Sequence, residues 1–143
     1  MKLPVEQRLG MDIKRVEQEL MAAKHAAVKI AGLTVPQYAA LLVLSDSPGI
    51  SAAALARSCL VSAQAMNVVL KNLEERGLVE RTPHRWHRNI RQARLTSAGR
   101  KALTVADRRA AAIERRIYDE FSPTERDQLR ALLARCSTAI AGE

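Results

Sequence analysis

The side chains with the most informative chemistry lie between residues 62 and 106 of this 143-residue chain. Ser62, Ala63, Gln64, Asn67, Val68 and Lys71 recur at spacings that put them on one side of a helix, while Met66, Val69, Leu70 and Leu73 fall on the other. Gln and Asn amides can form paired hydrogen bonds with adenine N6 and N7, and Ala and Val methyls can contact the thymine methyl, so this face suits an A/T-containing duplex half-site. The same residues would also serve as an ordinary polar surface. Directly downstream, no Asp or Glu occurs between Arg81 and Ala106, whereas Arg81, Arg85, Arg88, Arg91, Arg94, Arg100 and Lys101 all do. The net charge of +8 is concentrated here, and such a stretch next to a polar helix face suits contact with phosphates.

Other chemistries find little support. There is no glycine-rich phosphate loop, no paired catalytic carboxylate motif and no nucleophile elbow, so no enzyme and no cofactor are expected. His84 and His87 could ligate a metal with His25, but no carboxylate lies nearby to complete a site, and loop histidines in a basic stretch more often meet phosphate or solvent; no metal is expected. Cys59 and Cys136 stand in no metal-binding or disulfide spacing. Cys59 reads as a small buried hydrophobe rather than a redox switch, and Cys136 as core packing. The longest apolar run, Tyr38 to Leu44, is too short to span a membrane, and the N-terminus lacks the apolar core of a signal peptide, which together suggest a cytoplasmic protein with no membrane partner.

The elements that would position these groups are mostly helical, since Ala and Leu dominate the apolar content and aromatics are only 3%. A first helix is expected from Val5 to Ala31, closed by Gly32. Thr34 and Gln37 form a capping box for a second helix carrying Tyr38, Leu41, Leu42 and Leu44. Ser51 caps a short third helix, Cys59-Leu60-Val61 makes a turn, and Ser62 caps a fourth that ends at Gly77. The periodicity then changes to alternation, so Leu78–Thr82 and Arg91–Leu95 are expected to pair as a hairpin. Thr96 caps a long helix, and Ser122-Pro123-Thr124-Glu125 restarts the last one, whose apolar residues are Leu129, Leu132, Leu133, Cys136 and Ile140.

The expected fold is therefore mainly α, a winged helix-turn-helix with a small β-hairpin wing, flanked by terminal helices. Residues 1–32 form an N-terminal dimerisation helix, 33–97 the winged head, and 98–143 the C-terminal helices that complete the dimerisation region. The terminal helices carry apolar faces that so small a head cannot cover, and a homodimer is the simple way to bury them. Within the wing, Arg81, Arg85, Trp86, His87, Arg88 and Arg91 are the candidate contacts with double-stranded DNA. Trp86 at the loop tip either enters near the groove or packs back on the protein.

Leu55-Ala56-x4-Val61-Ser62-x-Gln64-Ala65-Met66, continuing through Leu73-Glu74-x-Arg76-Gly77-Leu78-Val79-x-Arg81 to Leu95-Thr96-x2-Gly99, resembles the MarR family of bacterial transcription regulators. The resemblance implies a homodimeric, sequence-specific regulator, most often a repressor, on an inverted-repeat operator. It also implies release by a small ligand, frequently aromatic or phenolic, held between the dimerisation and DNA-binding regions, where His25 and Tyr38 fall. Those two residues would equally serve as polar edges of the interhelical core. The chain departs from the family pattern in the wing, where an acid usually orients an arginine towards the minor groove. His87, Arg88 and Asn89 stand there, and Arg88 is the nearest candidate for that role. Leu60 replaces the glycine frequent in helix-turn-helix turns. Two further classes share the basic wing: a winged-helix protein-interaction module docking an acidic protein, and a sequence-indifferent DNA-coating protein.

Overall fold

A computed structural model describes residues 2–87 and 91–142. The elements run α1 (Gly10–Lys29), α2 (Val35–Asp46), α3 (Ala52–Ser58), α4 (Ala63–Glu75), β1 (Val79–Pro83), β2 (Arg91–Leu95), α5 (Ser97–Glu120) and α6 (Pro123–Ala141), after a single 3-10 turn at Val5–Gln7. The strands pair antiparallel with Val79 opposite Leu95 and Pro83 opposite Arg91, which is the winged helix-turn-helix order anticipated above. The chain divides into two compact units, residues 1–110 and 111–143.

The helix boundaries follow from local hydrogen bonding. At the start of α2, Thr34 Oγ1 accepts the Gln37 amide while Gln37 Oε1 accepts the Thr34 amide, so two otherwise orphaned N–H groups are satisfied reciprocally. Ser51 and Ser62 cap α3 and α4 by accepting the amides of Ala54 and Ala65. The second capping box, Ser122 with Glu125, opens α6. One expectation needs correction: α1 begins at Gly10, not Val5, because no side chain caps the chain upstream and Arg8 adopts an extended conformation that breaks the turn.

The core of the first unit draws on α2, α3, α4, both strands and the first half of α5. Leu41, Leu44, Leu55, Met66, Leu70 and Leu73 are fully buried at its centre, each contributing about 2 kcal/mol by leaving water. Leu44 is thus a core residue whereas Leu42, another of the apolar residues read onto α2, is exposed. On α5, Leu103, Ala106 and Ala110 face the core, and Val105 is exposed.

The first half of α1 has no cover in the single chain: Met11, Ile13 and Val16 are exposed, as is Leu9 just before the helix, and only Ala27 and Val28 are buried. In the second unit, the end of α5 and α6 enclose an open groove of about 590 Å³ lined by Ile117, Tyr118, Phe121 and Leu129, with Arg115 and Arg130 at its edge. Arg126 spans these helices, donating from Nε to the Tyr118 carbonyl at 2.8 Å with its guanidinium 3.4 Å from the Tyr118 ring centroid. Leu132, Leu133 and Ile140 on α6 are exposed. Among the described residues, no single helix is long and apolar enough to cross a membrane.

Candidate nucleic-acid interface

The candidate interface is built on α4, whose amphipathic pattern decides which side faces outward. Burying Met66, Leu70 and Leu73 turns Ser62, Ala63, Gln64, Asn67, Val68 and Lys71 to solvent. All six are exposed, and Val68 keeps 67% of its surface in water. Between α3 and α4 the path bends by 106°, within the range of a helix-turn-helix.

The turn that makes this bend is strained. Leu60 adopts φ +57°, the left-handed region that L side chains avoid, and is the one non-glycine among the described residues to do so. Its side chain is 93% exposed, so no burial compensates the strain locally; the Ser62 cap and the flanking core residues Leu55 and Met66 hold the turn. A glycine would take this backbone conformation without the steric cost that Leu60 carries. Beside it, burial raises the Cys59 thiol above its ordinary value, which disfavours the thiolate that redox sensing would require.

Behind α4 the two ends of the sequence motif interlock. Gly77 stops the helix at φ +71°, and the Thr96 hydroxyl donates to its carbonyl at 2.7 Å. Thr96 N donates to the Leu78 carbonyl at 3.1 Å, and Thr96 Oγ1 accepts the Gly99 amide at 3.0 Å. A Cβ on Gly99 would stand 2.0 Å from the Leu78 carbonyl oxygen, so only glycine allows α5 to start this close to the wing. The Arg-Gly-Leu-Val and Leu-Thr-x2-Gly segments thus form one joint that fixes the wing relative to α4.

The wing residues fall into different environments. Arg85, Trp86 and His87 are exposed. Arg81 is half-buried, and its Nε lies out of water without a hydrogen-bond partner among the described residues. Arg91 Nη2 donates to the Arg81 carbonyl at 2.9 Å and lies 3.9 Å from Glu74 at the end of α4, so it braces the hairpin as well as adding charge. Arg88 lies outside the described residues. At the loop, His84 Nδ1 accepts the amides of Trp86 and His87. Among the described residues there is no cluster of three or more His, Cys, Asp or Glu side chains able to hold a metal.

Several supporting residues were not apparent in the sequence. Gln37 Nε2 donates to Asn72 Oδ1 at 2.7 Å, and Arg76 Nη1 donates to Gln37 Oε1 at 3.2 Å, tying the start of α2 to the end of α4. Tyr38 is buried and donates its hydroxyl to Asp107 Oδ1 at 2.5 Å, joining α2 to α5. His25 is exposed on α1. No sequence spacing pairs Tyr38 with Asp107, which are 69 positions apart.

The MarR family model matches residues 31–88, covering α2 to the wing. An HTH-type transcriptional repressor of Mycobacterium tuberculosis is 34% identical over 125 residues, which span 87% of this chain and 90% of the relative. A solved MarR family protein of M. tuberculosis in complex with p-aminosalicylic acid is 33% identical, with a TM-score of 0.66 over 91% of this chain and 98% of that one. CouR from Rhodococcus jostii, solved with p-coumaroyl-CoA bound, is 25% identical with a TM-score of 0.81 over 92% of this chain and 93% of its own. With the interlocked motif, the outward polar face of α4 and the basic hairpin beside it, this likeness along most of its length identifies the chain as a member of the MarR family of transcription regulators, not an enzyme.

Proposed function

We propose that the protein is a repressor that binds an inverted-repeat operator as a homodimer in the cytoplasm. The observation that carries this reading is the outward face of α4: Gln64, Asn67, Val68 and Lys71 stand exposed on a helix whose opposite side is locked into the core. Ser62 and Ala63 complete the face at the N-terminal end, the end a helix-turn-helix directs towards base edges. Amides and methyls in this arrangement favour A/T-containing half-sites. Arg81, Arg85, Trp86, His87, Arg88 and Arg91 then contact the flanking duplex through the wing, supplying affinity and register more than base identity.

Residues 1–32 and 98–143 serve dimerisation on either side of the head formed by residues 33–97. The exposed apolar side chains of α1 and α6 support this, because they gain cover when a second copy associates. A twofold dimer presents two copies of α4 about one helical turn apart, which calls for a palindromic site. The effector is a small aromatic or phenolic acid or a related thioester, by likeness to relatives solved with p-aminosalicylic acid and p-coumaroyl-CoA. His25 and Tyr38 are its candidate contacts, and a ligand that engages the Tyr38 hydroxyl competes with Asp107 for it.

Selection of bound duplexes from a random pool tests this reading, followed by fluorescence anisotropy on the selected site and on a scrambled duplex of equal composition. The expected result is a palindromic motif and a preference of at least about 10³-fold at physiological salt. Equal affinity for both duplexes would indicate a DNA-coating protein, and no binding to either a protein-interaction module. Asn67→Ala should alter the ranking of operator variants, and an unchanged ranking would mean that another face of the head reads the bases.

A further inference from the structure

The sole tryptophan of the chain, Trp86, lies between β1 and β2 with 77% of its surface exposed. A single exposed hydrophobic residue is ordinary on a protein surface. The surroundings of this one are not ordinary. His84 Nδ1 accepts the Trp86 amide at 3.0 Å and the His87 amide at 3.1 Å, so a side chain closes the turn that carries the indole. The Arg85 guanidinium lies 5.4 Å from the indole centroid, and the His84 and His87 rings approach to 5.3 Å. A large flat apolar surface is thereby presented on a held turn, amid a stretch from Arg81 to Ala106 that contains no acid.

Charge complementarity selects the occupant: although Glu80 on β1 and Glu74 beside Arg91 lie at the base of the hairpin, the turn itself belongs to a stretch with cations and no acids, which matches the phosphate backbone. Arginine contacts with phosphates release counterions and weaken steeply with salt, whereas an apolar ring against sugar and base edges does not. Proteins that approach the minor groove use apolar side chains in this way, as wedges that unstack or widen a base step. Building on the DNA-binding reading above, we propose that the Trp86 indole is an apolar wedge that the wing sets into the minor groove beside the half-site. It adds affinity that salt does not remove and a preference for deformable pyrimidine–purine steps at positions α4 does not touch.

Because Trp86 is the only tryptophan, the emission of the full-length protein reports on this one position. Indole emission and its quenching by acrylamide are followed while the duplex selected above is titrated in, and occupancy is measured separately by anisotropy of a labelled duplex. At saturation the emission should move to shorter wavelength and acrylamide quenching should fall. Trp86→Ala should weaken binding by about tenfold, with the slope of log affinity against log salt unchanged, and Trp86→Phe should retain part of the affinity. Arg85→Ala should instead lower that slope by about one. Replacing a flanking pyrimidine–purine step by a stiff A-tract should weaken the parent protein more than Trp86→Ala.

Full occupancy by anisotropy with unchanged quenching would overturn the inference and leave the DNA-binding reading standing. Trp86→Ala with parental affinity would do the same, and so would protection that develops with protein concentration before DNA is added, since that assigns the indole to a second copy. No anisotropy change at any protein concentration would reject DNA binding and this inference together.

Discussion

Replacing Gly99 by Ala reverses the sign that a helical position normally gives. In a helix interior, alanine is favoured over glycine by about 1 kcal/mol. At Gly99, however, the new methyl carbon would stand 2.0 Å from the Leu78 carbonyl oxygen and 3.0 Å from its carbonyl carbon, and both belong to backbone that cannot rotate away. Relieving the overlap needs a retreat of α5 by roughly 1 Å, a distance over which close-packed contacts are largely forfeited. That retreat stretches the Thr96 amide bond to Leu78 and the Thr96 hydroxyl bond to Gly77, each worth about 1 kcal/mol. Overpacking itself costs about 1–3 kcal/mol. The expected balance is a loss of about 2–4 kcal/mol, after the helical preference of alanine is credited. Urea unfolding followed by far-UV circular dichroism, at one fixed protein concentration because association contributes to stability, measures it. Gly10→Ala is the matched control: a Cβ there meets nothing within 4 Å, so it should be neutral or slightly stabilising. If Gly99→Ala stabilised the protein as Gly10→Ala does, the joint between the end of α4 and the start of α5 would not be the steric constraint described.

Leu60→Gly should stabilise the protein by about 0.5–1 kcal/mol, because the relief of left-handed strain exceeds the extra chain entropy of glycine; a destabilised variant in the same urea assay would show that the exposed Leu60 side chain holds the turn. Tyr38→Phe should cost about 1–2 kcal/mol by removing the hydroxyl donor to Asp107, and unfolding at the parental midpoint would show that this link between α2 and α5 contributes nothing. Accepting the Ser122 amide, with help from the Ser122 hydroxyl, holds the Glu125 carboxyl below its ordinary range. A lowered folded-state value means that the capping box of α6 contributes at pH values above the ordinary carboxylate range and is lost as pH falls through the lowered value. An NMR titration of the Glu125 side chain should therefore show a midpoint below that of an unstructured glutamate, and Ser122→Ala, which keeps the backbone donor and removes only the hydroxyl, should raise it part of the way; a parental midpoint equal to that of an unstructured glutamate would refute the box.

The features legible along the chain are those whose partners lie within a few residues. Thr34 with Gln37, Ser122 with Glu125, and the serines at positions 51 and 62 each act across three residues, so their spacing on the chain already contains the bond they make. Gly32 and Gly77 mark helix ends for the same reason, since a left-handed residue is required there whatever packs around it. The period of apolar residues in α4 likewise separates its buried side from Gln64, Asn67, Val68 and Lys71. Relations carried by packing between distant segments arise only in the folded chain. Leu42 and Leu44 are equally apolar, and only the position of α2 in the core exposes one and buries the other. Arg91 reads as one more wing cation, yet it braces the hairpin against the end of α4 because strand pairing sets it beside the Arg81 carbonyl and Glu74. Leu60 occupies a conformation that its side chain disfavours, at the turn between α3 and α4, and nothing in its residue type announces this. Gly99 sits three residues beyond Thr96 in a pattern legible as a motif, but its necessity is a 2.0 Å distance to the carbonyl of Leu78, a contact that exists only once α5 has been laid against the base of the wing.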